Sequence, residues 1–221
     1  MQRLRVPLLL SLSALLLAGS AAASWQDLTP ADFSMAPPPA PGSPESDADY
    51  ARLLQLQASR TPDECSAAAA EVTPDFQSLF GNSGIMSKAE LAAVAPFIDE
   101  ASKLAAKISG YFKKKYPRPR PYDADARVQP CIPKPGGATS YPSTHATDGV
   151  VDACVLARLF PKRANILASY GRHVGDLRVI SGVHHPSDVA AGQALGDQIC
   201  ARLSKEADFQ AELAQVKTTL P

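Results

Sequence analysis

Three stretches, "THATDGVVDACVLARLF", "KRANILASYGRHVGDLRVI" and "PSDVAAGQALGDQICARL", repeat apolar residues at three- and four-residue steps. That is the period of a helix with one buried face. A fourth amphipathic stretch follows from Lys205. Upstream, Thr61-Pro-Asp-Glu64 and Ser87-Lys-Ala-Glu90 carry the capping-box pattern, with Pro62 at the favoured first helical position, so helices are expected from near residues 62 and 88. The second should run through Pro96, a candidate kink, and stop at the alternating prolines of "YPRPRPYD", with a loop from there to about Tyr141. Strand-like alternation is nearly absent. The expected fold class is all-α: a soluble, single-domain helical bundle over residues 48–221, with its polar chemistry on the irregular segments.

The ends carry a different composition. Arg3 and Arg5 precede an apolar run from Val6 to Ala18 that closes in "AGSAAAS", so residues 1–23 read as a cleaved signal peptide. The run is shorter than the ~20 residues of a membrane span. Ser20 stands where a lipoprotein would need cysteine. The protein is therefore expected to be periplasmic or secreted, without a lipid anchor or stable membrane insertion. Residues 24–47, centred on "APPPAPGSP", read as a Pro-rich flexible or surface-draped arm.

Lys plus Arg and Asp plus Glu are both 22, which gives no reason to expect nucleic acid as a partner. Cys65, Cys131, Cys154 and Cys200 are an even set without C-x-x-C spacing, so two disulfides are expected, with three pairings open. Homo-oligomerisation is equally open.

Three segments concentrate polar residues that a plain bundle does not need. Lys113 to Lys115 end a helix and would ordinarily cap its dipole. Arg118 and Arg120 sit on a proline-stiffened strip that could line an anion site or bridge two helices. Ser143, Thr144 and His145 fall at a helix start, where unpaired N–H groups favour phosphate and a histidine can deliver a proton. In "HHPSDVAAG", Asp188 follows His184 by four residues and can fix its tautomer, leaving the other ring nitrogen as nucleophile or base. His184, His185 and Asp188 could instead supply three metal ligands, although no Cys or H-E-x-x-H pattern accompanies them. Together, several fixed cations, a helix N-terminus, an oriented histidine and a second histidine describe a phosphate site with a nucleophile and an acid.

These blocks resemble the PAP2 phosphatase superfamily, whose signature runs K-x6-R-P, P-S-G-H and S-R-x5-H-x3-D. Here the matches are Lys113 with Arg120-Pro121, Pro142 to His145, and Arg178 with His184 and Asp188. Within the superfamily, "ATSYPSTHAT" and "RVISGVHHPSDV" are similar to the bacterial class A nonspecific acid phosphatases. The resemblance implies a helical bundle of the PAP2/haloperoxidase type and a metal-independent phosphomonoesterase acting on a small phosphate monoester, with no cofactor. It implies that Lys113, Arg120, Arg178, Ser143 and the Thr144 amide bind phosphate, that His184 forms a phosphohistidine oriented by Asp188, and that His145 is the general acid. Two positions depart from the signature: Thr144 replaces a glycine and Leu177 a serine. His173 and His185 match nothing and read as surface or packing residues. The competing readings are a noncatalytic phosphate- or phospholipid-binding module, a vanadate-dependent haloperoxidase-like activity, and the three-ligand metal site. Substrate specificity would fall to the loop from Asp123 to Ala138 and to the helices near the pocket mouth.

Overall fold

Helices begin where the sequence supplies their caps. In the computed structural model, which describes residues 24–221, nine α-helices account for the secondary structure among the described residues, with short 3₁₀ turns and one isolated bridge, Pro119 to Thr139. The signal-peptide reading of residues 1–23 lies outside the described residues. Helix α1 spans Pro44–Ser59 behind an N-cap at Ser43; α2 spans Pro62–Ala70 and α4 Lys88–Lys115, each behind its expected capping box. Between them lies α3, Phe76–Phe80, and α4 passes Pro96 without ending. After the short α5, Pro121–Ala124, come α6 Thr144–Leu159, α7 Ala164–Ile180, α8 Pro186–Leu203 and α9 Ala207–Thr218.

Helix α6 is the axis, packed against α4, α7 and α8. Every residue from Ala146 to Ala153 is buried, so this helix has no solvent face over that stretch. Its start is gripped by α8 because Gly192 lets the two backbones touch: a Cβ there would lie 2.4 Å from the Ser143 carbonyl oxygen.

The arm over residues 24–47 differs from the expectation of flexibility. Trp25, the chain's sole tryptophan, is fully buried, its ring edge-on to Phe97 and Phe209, and its amide donates to Asp208 at 2.8 Å. Tyr116 and Tyr141 hydroxyls donate to the carbonyls of Met35 and Ala36. The arm is draped and pinned, because one large aromatic and two phenols offset the ordering cost that prolines have already reduced. Residues 44–47 belong to α1.

The cysteines pair as Cys65–Cys131 and Cys154–Cys200, with Cα separations of 5.8 and 6.2 Å. The first joins α2 to the long loop before α6; the second joins α6 to α8.

Two carboxylates sit inside this core. Asp152 accepts from Ser102 at 2.7 Å, but its other oxygen and both oxygens of Asp148 have no hydrogen-bond partner among the described residues. Burial pushes Asp152 up to about 8, and burial together with Asp152 one turn away pushes Asp148 well above the carboxylate range. The fold thus takes up protons that an unfolded chain releases near pH ~4. This contribution to stability is complete below that pH and is lost as pH rises through the folded values. Urea denaturation between pH 5 and 8 should show wild-type stability declining relative to Asp152→Asn as pH rises. Parallel curves for the two proteins would refute a protonated Asp152.

Candidate active site

The strip Pro117–Arg120 is extended, and its exposure alternates: both prolines face out and both arginines are buried. Its backbone is held by the Ser140 amide and hydroxyl, which donate to the carbonyls of Arg118 and Pro119. The two inward arginines divide the roles foreseen for the strip. Arg118 bridges helices, donating to Asp49 of α1 at 2.9 Å and to Asp188 of α8 at 2.7 Å, with a further bond to Ser187. Arg120 reaches Val183 O at 3.0 Å, Gly137 O at 3.1 Å and His184 Nε2 at 2.8 Å, and has no carboxylate partner among the described residues.

A tight turn presents the histidines. Gly182, at φ 78°, ends α7, and the amides of Val183 and His184 both donate to the Arg178 carbonyl. His184 is then 2% exposed. Guanidinium can only donate, so His184 Nε2 must accept from Arg120 and the ring proton must be on Nδ1, which faces Asp188 Oδ2 at 3.4 Å. The same Oδ2 accepts from His185 N at 2.8 Å and His185 Nδ1 at 3.0 Å, while His185 Nε2 takes the Tyr50 hydroxyl. His185 is thus a packing histidine inside the carboxylate's cage, whereas His173 lies at the surface.

Burial drives His184 down to about 3, assisted by Arg120 and Lys113 and opposed by the bond to Asp188. Burial would raise Asp188, yet the bonds from His184 and His185 hold it well below the usual range. The pair is therefore carboxylate with neutral imidazole, the Nε2 lone pair outward.

The start of α6 forms the facing wall. Ser143 is the N-cap: its Oγ accepts from Ala146 N at 3.3 Å, its amide donates to Asp188 O at 2.9 Å, and its hydroxyl proton is left to donate. Thr144 occupies ordinary helical backbone, so the position needs no glycine, and its Oγ1 meets Ser109 Oγ. First-turn amides have no intrahelical partner. His145 Nε2 donates to the carbonyls of Glu71 at 3.0 Å and Val72 at 3.2 Å, which places the neutral ring's lone pair on Nδ1. Burial, Arg178 and His184 hold this ring well below its ordinary value.

Lys113 Nζ donates to Pro142 O at 2.6 Å and Ser140 O at 3.3 Å, and burial beside Arg120 lowers it to about 8. Arg178 is fully buried; one Nη donates to Ala68 O at 2.6 Å, its Nε is unpartnered, and burial lowers it to about 10.

Lys113, Arg120, Thr144, His145 and His184 line the inner part of an open cavity of about 430 Å³, whose outer walls are residues 72–74 and 133–136. Among the described residues, no carboxylate lines it. The cavity is built for a compact anion, with an unprotonated nitrogen at its base. The metal alternative fits poorly: both Nδ1 atoms of the histidine pair already face Asp188, and their Nε2 atoms engage Arg120 and Tyr50.

Residues 97–204 match the PAP2 superfamily model. An acid phosphatase of Zymomonas mobilis is 30% identical over 198 residues, covering 84% of this chain and 74% of that protein. The chain belongs to the PAP2 superfamily. A non-specific acid phosphatase of Salmonella typhimurium is 38% identical over 122 residues, 51% of this chain and 48% of that protein, so the chain spans about half of that relative. The crystal structure of a transmembrane PAP2-type phosphatidylglycerolphosphate phosphatase from Bacillus subtilis shares the fold at a TM-score of 0.57 and 18% identity, covering 77% of this chain and 89% of that one. Among the described residues here, no helix is long and apolar enough to cross a membrane.

In this PAP2 chain, Lys113, Arg120, Thr144, His145 and His184 meet at one cavity, with Asp188 and Ser143 directly behind. Leu177 points away, packed with Ala68, Ile132 and Val183, so the serine lost there is replaced by core. Sequence reasoning foresaw a bridging role for the arginine strip but did not place Arg118 on Asp188, and it passed over Asp49, which holds Arg118, and Tyr50 and Glu71, which engage the two flanking histidines. The two-residue arginine spacing held the signal for Arg118; Glu71 acts through its carbonyl, which no side-chain pattern betrays. In ¹⁵N–¹H imidazole spectra, His184 should remain the neutral Nδ1–H tautomer from pH 8 down to about 4. Protonation near pH 6 would refute the arrangement.

Proposed function

We propose that this protein is an exported acid phosphatase that hydrolyses small phosphate monoesters through a phosphohistidine on His184 without a metal. The observation that carries this reading is His184 itself, fixed as the Nδ1–H tautomer with Nε2 turned to a cationic, carboxylate-free cavity. Its relatives named acid phosphatases agree with the reaction class. The two disulfides favour an oxidising compartment.

In the first step a phosphoryl group enters against Lys113, Arg120 and the first-turn amides of α6, with Arg178 and the Ser143 hydroxyl behind them. Arg120 exchanges the Nε2 lone pair for a phosphoryl oxygen. His184 Nε2 then attacks phosphorus in line; the P–N bond forms as the P–O ester bond breaks. The phosphorylated ring becomes cationic while keeping its Nδ1 proton, and Asp188 stabilises it. The departing alkoxide takes a proton from His145 Nδ1, one that this nitrogen takes up from solvent when the phosphate dianion binds, since Nε2–H is committed to two carbonyls.

In the second step water attacks phosphorus and gives its proton to His145 Nδ1. The P–N bond breaks, and His184 leaves as the neutral imidazole. Cations outnumber carboxylates throughout, so charge developing on the equatorial oxygens meets fixed positive groups.

His145 is held low in the free protein and is raised by a bound dianion, so the basic limb in kcat should lie at higher pH than the one in kcat/KM, within an optimum between mildly acidic and neutral pH. Hydrolysis of p-nitrophenyl phosphate in EDTA should persist, and His184→Ala should lower kcat by at least about a thousandfold. Activity abolished by EDTA, or retained by the variant, would overturn the mechanism.

A further inference from the structure

The mouth of the cavity carries a cation that a single phosphoryl group does not need. Lys113 and Arg120, which line the base of the cavity, already match the charge of one phosphoryl dianion, and Arg178 is buried beneath the surface. Lys134 lines the same cavity from its outer wall, its ammonium lies 4.7 Å from the centre of the Tyr122 ring, and among the described residues no carboxylate is paired to it.

Its mounting is stiff. Pro133 and Pro135 flank it, Ile132 is buried, and Cys131 is tied both to Cys65 and, by its amide, to the Ser181 carbonyl. The opposite wall, Val72 to Pro74, is uncharged. A leaving group threading between these walls passes one fixed positive charge and meets no negative one.

We propose that Lys134 is a specificity-determining residue that selects phosphate esters whose leaving group carries its own negative charge, a carboxylate or a second phosphoryl group. This rests on the phosphatase reading above and adds the class of substrate. The cation–π contact parks the ammonium over Tyr122, from which the anionic leaving group recruits it.

The test compares matched esters. 3-Phosphoglycerate against glycerol 3-phosphate reads a carboxylate, and fructose 1,6-bisphosphate against fructose 1-phosphate reads a phosphoryl group. The wild type should prefer the more anionic member of at least one pair in kcat/KM. Lys134→Gln should reduce that preference about three- to fivefold, the scale of one partly exposed ion pair, whereas Lys134→Arg should keep it. The pair that responds identifies the group recognised.

Preference ratios equal in the wild type and Lys134→Gln, including an equal loss on both members of a pair, would overturn the proposal. Should the wild type hydrolyse none of the four esters, the phosphatase reading fails separately. Calorimetric affinities of the same esters then decide on Lys134: a charge preference that vanishes in Lys134→Gln upholds the recognition, and its absence overturns it.

Discussion

Asp188 is the point at which the structure closes. One carboxylate receives Arg118 on Oδ1 and both histidines on Oδ2, while its own carbonyl receives the Ser143 amide. Through Arg118 it is tied to Asp49, and so to α1; through Ser143 it is tied to the start of α6. Three segments far apart in sequence thus share one buried ionic centre. Removing a partner from such a centre strands a charge and typically costs about 3–5 kcal/mol, whereas the intact cluster mainly fixes geometry. Its value here is positional, because the imidazole facing the cavity has no other side-chain support on its Nδ1 side.

Electrostatics explain how so many cations coexist. Burial weakens each: Lys113 is lowered to about 8, Arg178 to about 10, and His145 and His184 are kept neutral. Backbone carbonyls, from Pro142, Ser140, Ala68, Val183 and Gly137, take the place of counter-carboxylates. Carbonyl dipoles orient a cation without neutralising it, which leaves its charge for an incoming anion. A carboxylate in the same place would compete with that anion.

Helical periodicity and capping boxes made the bundle legible, and most boundaries fall where Thr61, Ser87 and Ser143 place them. The blocks that meet at the cavity were legible as well, because Lys113, Arg120, His145 and His184, with Asp188 behind, carry their signal in side chains at signature spacings. Two things were not. Composition described residues 24–47 as unable to form a core, yet Trp25 needed only an existing core to join. The paired bonds to His145 come from the carbonyls of Glu71 and Val72, whose contribution is independent of residue type.

The Cys65–Cys131 bridge joins the end of the chain segment that builds one wall of the cavity to the segment that builds the other. Neither wall contributes a side chain to the base of the cavity, where the Val72 carbonyl alone reaches His145, and neither belongs to the helices that carry it. The molecule is divided into a lock and a keyhole plate: the lock is set by α4, α6, α7 and α8, while the plate is a bolted frame over it. Changes of sequence in residues 72–74 and 133–136 can reshape the opening while the bolt keeps its span and the lock beneath stays as it was. A lineage could therefore trade one range of substrates for another by rewriting a handful of loop positions, with the chemistry inherited intact.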